Sequence, residues 1–139
     1  MAQQFSVAVR NARLDAIESA IGAAPKLRFY SGAQPASCAA ARTGTLLAEL
    51  ALPSDWMAQA GSGAKAFSGT WAGTGAAAAG IGTNIGHFAI LDSAGTTCHQ
   101  QGKVGATGDA TADMTVDNLS LAQGQSIAVT AFTLTEGGA

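Results

Sequence analysis

Between Ser6 and Ile21 the apolar residues Val7, Leu14, Ile17 and Ile21 recur close to the spacing of one helix face. Arg10, Arg13, Asp15, Glu18 and Ser19 fill most of the positions between them. Ser6 stands where a side-chain oxygen caps a first turn, and Gly22 where a left-handed residue closes a last one. Pro25 follows, where a helix does not easily continue. The pattern predicts a helix over residues 6–21. Its apolar stripe is narrow, about one residue per turn. Such a helix lies on its own domain by default, and otherwise reaches onto a neighbouring subunit.

After Pro25 the period becomes two. Lys26-Leu27-Arg28-Phe29-Tyr30 alternates polar and apolar as a half-buried strand does, and Ser31-Gly32-Ala33-Gln34-Pro35 is turn chemistry. Further strands are predicted over 44–52, 65–71, 86–92, 97–104, 113–117 and 125–135. Residues 73–80, rich in Gly and Ala, read either as a loop or as a weakly specified strand. Ser93-Ala94-Gly95-Thr96 joins the 86–92 and 97–104 segments into a hairpin. Short strands parted by glycine-rich turns predict a mainly β fold: an antiparallel β-sandwich or jelly-roll-like domain. We expect a helical arm over residues 1–24 and a single β domain over 25–139.

Composition narrows the function classes. Of the 139 residues, 47% are hydrophobic, yet only 6% are aromatic and 12% charged, and 18 are glycine, so the chain is rich in small residues rather than greasy. No run of apolar residues is long enough to span a bilayer. A net charge of −2 leaves no electrostatic footprint for nucleic acid. The start lacks the basic and apolar regions of a secretory signal, so we expect synthesis and folding in a cytosol. Residues 1–65 carry six of the seven basic residues and four of the nine acids, a formal +2 against −4 for the rest. That asymmetry reads as ordinary surface solvation or as complementarity between copies. Cys38 and Cys98 read either as two free thiols or as a disulfide, a choice that depends on how closely the fold brings them.

Candidate chemistry is thin. The only histidines are His87 and His99. Cys98 and His99 are neighbours that a strand turns to opposite faces, which removes a thiol–imidazole pair. Asp92 could approach His99 across the hairpin, a contact common in ordinary structure. Two Cys and two His without close pairing do not make a zinc motif. Gly73-Thr74-Gly75 and Gly80-Ile81-Gly82-Thr83 lack the Lys and the strand–loop–helix context of phosphate loops. We therefore expect no enzyme, no cofactor and no metal. Trp56, Trp71 and Tyr30 serve either as core bulk or as a sugar-stacking platform.

Several segments carry a resemblance. They are Val9-Arg10-Asn11-Ala12-Arg13-Leu14-Asp15-Ala16-Ile17-Glu18, Leu27 through Ala36, Thr43 through Ala48, and Leu52-Pro53-Ser54-Asp55-Trp56-Met57. With His87-Phe88, Asp92 through Thr97 and the closing Ala128 through Thr135, the chain resembles small proteins encoded among the head genes of tailed bacteriophages and prophages. The resemblance implies a virion structural role, assembled in the host cytoplasm. A decoration or cement protein that binds the major capsid protein or other virion proteins as a homo-oligomer is the leading expectation, with no contact to nucleic acid or membrane. The expected contact residues are Arg10, Arg13, Leu14, Ile17 and Trp56. The alternatives are a low-copy neck, tail or head-fibre component, and a carbohydrate-binding module using Trp56 and Tyr30.

Overall fold

The computed structural model describes residues 3–137. One helix, α1 (Val7–Ile21), precedes nine strands: β1 (Lys26–Ser31), β2 (Leu46–Ala51), β3 (Ala64–Ala66), β4 (Ala72–Thr74), β5 (Thr83–Leu91), β6 (Cys98–Ala106), β7 (Met114–Val116), β8 (Ser120–Leu121) and β9 (Ser126–Thr135). A single 3-10 turn, Ala77–Ala79, lies between β4 and β5. The fold is mainly β. The strands follow the order β2-β1-β5-β6-β7-β9-β3, with β4 pairing to β9 and β8 to β5. The sheet curls until β4 lies against β2, where the Ala76 amide donates to the Leu47 carbonyl at 2.7 Å.

Curling turns one face of every long strand inward. Leu27 and Phe29 of β1, Phe88 and Ile90 of β5, Val104 of β6 and Phe132 of β9 meet there with Trp56 and Trp71. Phe88 and Phe132 sit edge to face at 5.6 Å, and Trp71 packs on both Phe132 and Trp56. The few aromatic residues thus fill the volume that the many alanines cannot.

Two sequence expectations are corrected. The sheet is not wholly antiparallel, because β6 and β7 run parallel, with Val104 beside Met114 and Ala106 beside Val116. Parallel neighbours ordinarily need a connection of a dozen or more residues. Here residues 107–113 suffice because the return lies flat on β6: a Cβ at Gly105 would collide with the Asp109 carboxylate and Ala112. The segment 65–71 holds only the short β3; Trp71 lies outside it, buried, its indole donating to the Ser68 carbonyl (3.1 Å). The helix, the 26–30 strand, the 86–92 and 97–104 hairpin and the last strand stand where the pattern places them, within a few residues.

Candidate interaction surface

α1 is built as its local sequence dictates. The Ser6 hydroxyl accepts from the Val9 amide (3.3 Å), and the Gly22 amide, at φ 94°, donates to the Glu18 carbonyl (2.9 Å). The segment expected to be an arm lies against its own domain. Leu14 and Ile21 are buried, and Ile17 packs on the main core. The indole of Trp56 donates to the Gly22 carbonyl (3.0 Å), tying the end of the helix to the core.

The polar side of the helix also faces the domain. Lys65 of β3 is only 2% exposed, and its ammonium donates to Asp15 (2.6 Å), Glu18 (2.7 Å) and the Ala58 carbonyl (2.8 Å). Three donors meet three acceptors, which is what a buried ammonium requires. Burial alone pulls the Lys65 pKa down, but the hydrogen bonds it donates to the Asp15 and Glu18 carboxylates outweigh it and leave the group above its ordinary 10.5. The Lys65 hydrogen bond, followed by that of the Ala60 amide (3.1 Å), holds the Asp15 carboxyl below 3.8. Asn11 accepts from the Gly63 amide (2.9 Å), and Arg13 pairs with Glu136 (2.9 Å).

The strip left outside is uncharged along its middle and flanked by two exposed charges, Arg13 (side chain 50% exposed) and Asp15 (43%). On a helical projection Ala8, Val9, Ala12, Ala16, Ser19 and Ala20 share the side opposite Leu14, and all six are exposed. Phe5, Val7 and Val9 add exposed apolar bulk at the N-terminal end, at 38%, 48% and 44%. Arg13 flanks the surface, its guanidinium 5.0 Å from the centre of the Phe5 ring. The apolar stripe of Leu14, Ile17 and Ile21 faces the core as in an ordinary surface helix, but the opposite face carries small apolar residues where charges are usual, with Arg13 and Asp15 only at its edges.

Of the five expected contact residues, Arg13 alone lies openly at the surface. Leu14 and Trp56 are 1% and 0% exposed, so both are corrected to structural roles. Ile17 is partly buried against the core, and Arg10 is half-buried beside Gly63. The surface that replaces them was signalled by Ala8, Ala12, Ala16 and Ala20, which repeat every four residues. Nor does the sugar platform form. Trp56 has no free face, and Tyr30 is 5% exposed and stacked on His87 with centroids 5.2 Å apart.

Elsewhere the geometry offers little chemistry. Asp92 does not orient His99; its carboxylate accepts from the Thr96 amide (2.8 Å) and the Thr97 amide (3.3 Å), closing the hairpin turn. A hollow of about 290 Å³ opens beside Glu18, Gly22, Ser54 and Trp56 at the end of α1. Another, of about 240 Å³, lies where β7 stops short between β6 and β9, floored by Phe88 and Phe132. Among the described residues no group of three or more His, Cys, Asp or Glu side chains is placed to hold a metal ion, and no helix is long and apolar enough to cross a membrane. Compared with known protein families, characterised proteins and solved structures, the chain matches none.

Proposed function

We propose that the protein is a virion structural component of a tailed bacteriophage, a decoration protein that docks on the assembled shell through the outer face of α1. The observation that carries this reading is the small-residue outer face of the helix. A helix anchored to its domain through Lys65, with a strip of alanines outside and charges only at its edges, is suited to close approach by another surface with little charge to desolvate. Sequence resemblance to phage head proteins supplies the kind of partner, the major capsid protein or a second copy of this chain.

Magnitude limits how much the helix contributes. Fifteen residues rise about 22 Å, and at about 10 Å across they cover on the order of 200 Å². A standard interface needs ~800 Å² per partner. The helix therefore forms the centre of a contact whose rim includes Phe5 and the exposed Gly61-Ser62 turn beside Asn11. Repetition around symmetry axes multiplies a small contact into a stabilised shell.

The test is the copy number in purified particles, measured by quantitative mass spectrometry against the major capsid protein. Hundreds of copies support decoration. A handful to a few dozen would move the protein to the neck, tail or a fibre, and absence from the particle would overturn the virion reading. Ala12→Arg with Ala16→Arg should then abolish particle binding while leaving the fold intact. Removing residues 1–22 is not an equivalent test, because it strips Lys65 of both carboxylates and damages the domain itself.

A further inference from the structure

The loop from Gly32 to Thr45, between β1 and β2, folds back over the outer face of the sheet, where Tyr30, Ala89 and Leu91 form a second buried cluster. A Cβ at Gly86 would overlap the Gly32 carbonyl, so the loop lies directly on β5 at its start. Farther along, one β6 side chain holds two points of it. The Gln101 amide donates to the Pro35 carbonyl (2.8 Å), and its oxygen accepts from Arg42 (2.8 Å). Arg42 also donates to the Ser37 carbonyl (3.2 Å), and the Ala40 amide closes a turn onto the same carbonyl (3.2 Å). Cys38 sits within that turn. Cys98, three residues before Gln101 on β6, packs against the Tyr30–Ala89–Leu91 cluster on the face that the loop covers, its thiol directed to the Gln100 carbonyl (3.5 Å) and close enough to Cys38 to feel it electrostatically. Both cysteines are half-buried free thiols.

We infer that Cys38 and Cys98 form a disulfide site, at which an oxidant of the disulfide class, such as oxidised glutathione, joins the two sulfurs and fastens the Gly32–Thr45 loop to β6. The loop is already seated by Gln101 and Arg42, so the bond closes on an arrangement the fold has made. Cys38, as thiolate, attacks one sulfur of oxidised glutathione and expels a glutathione thiolate, leaving a mixed disulfide. Cys98 gives its proton to solvent as its sulfur attacks Cys38 Sγ and expels the second glutathione. Two protein thiols are oxidised to one disulfide, and one oxidised glutathione is reduced to two thiols. Burial, reinforced by the Cys38 thiol, pushes the Cys98 thiol up to about 11 against the opposing pull of Arg42. Closure is therefore expected to accelerate as the pH rises from neutral toward that value, because the attacking species is the thiolate.

The full-length protein is incubated with a glutathione redox buffer, digested without reductant and mapped by mass spectrometry. The expected result is a peptide pair joining Cys38 to Cys98, the loss of two hydrogens from the intact mass, and a melting temperature raised by on the order of 10 °C, reversed by dithiothreitol. Cys38→Ser and Cys98→Ser should each abolish the rise, leaving at most one glutathione on the remaining thiol. Glutathione retained separately on both cysteines of the wild-type protein, linkage only between molecules, or no reaction would each overturn the inference. The wild-type map reads the bond directly, so the outcome does not depend on how well either variant folds.

Discussion

Helix α1 and the Gly32–Thr45 loop both cover the sheet from outside its strands, and they are fastened by different chemistry. The helix is held by a buried ammonium shared between two carboxylates, with Leu14, Ile17 and Ile21 beneath it. The loop is held by the two-way grip of Gln101 and by Arg42 on backbone and amide oxygens, with the Cys38 thiol in its turn and Cys98 on the strand it covers. A segment fastened by inward charges needs none on its outer side and is left free to meet a partner. A segment fastened by amide hydrogen bonds gains less from each and opens more easily, unless a covalent bond closes it.

The largest break in this comparison should come from Asp15→Asn with Glu18→Gln. The substitutions keep shape and amide acceptors but remove both counter-charges, leaving the Lys65 cation buried and unneutralised. The expected result is the largest fall in denaturant midpoint of the series. A loss under ~1 kcal/mol would show that the apolar residues alone hold the helix. Gln101→Ala should cost less, ~1–2 kcal/mol, because it removes two hydrogen bonds, one neutral to Pro35 and one from the Arg42 guanidinium, at a half-buried site. Its signature is faster hydrogen exchange confined to residues 33–44, with the amides of α1 unchanged.

pH separates the two fastenings. Because the folded Asp15 pKa lies below its ordinary 3.8, its contribution is present above 3.8 and lost as the pH falls through the lower folded value. The folded Lys65 pKa lies above 10.5, so its contribution is present below 10.5 and lost as the pH rises through the higher folded value. The Cys98 thiol, raised from 9.0 to about 11, favours the neutral folded loop below pH 9, an advantage lost between 9 and 11. Acid should thus release the helix before the loop, and mild alkali the loop before the helix. Protection of the two segments, followed by hydrogen exchange across that range with rates corrected for intrinsic pH dependence, checks the order. The smallest effect on stability belongs to Ala12→Arg and Ala16→Arg, within ~0.5 kcal/mol, because the outer face touches nothing in the isolated chain. A larger loss would mean that this face packs internally.

Much of the fold was legible because its signals are local. The Ser6 cap, the Gly22 terminus and the spacing of Leu14, Ile17 and Ile21 specify α1 within a few turns of chain. The alternation of Lys26 through Tyr30 and the turn after Asp92 specify a strand and a hairpin in the same way. The strands read poorly were the short ones. β4 and β8 span three and two residues, too few for a period to show, and exist because β9 and β5 supply their partners. The candidate surface was half legible. Its alanine spacing stood in the sequence, but the charges of α1 read there as solvated, and Leu14 and Trp56 as available for contact.

Local sequence signals specified the helix and its ends, the long strands and the mainly β class, because each follows from residues near one another along the chain. Only the tertiary structure decided that β7 lies parallel to β6, that Lys65 arrives beneath α1, and that the Cys38 turn folds back over the face of β6 that carries Cys98. Lys65 lies 50 residues from Asp15, and the two cysteines are 60 positions apart. No local propensity links such groups. They meet because burying the inner face of a curled sheet leaves few places for the segments that cover it, and those places settle which side of the helix faces the domain and which is left outside.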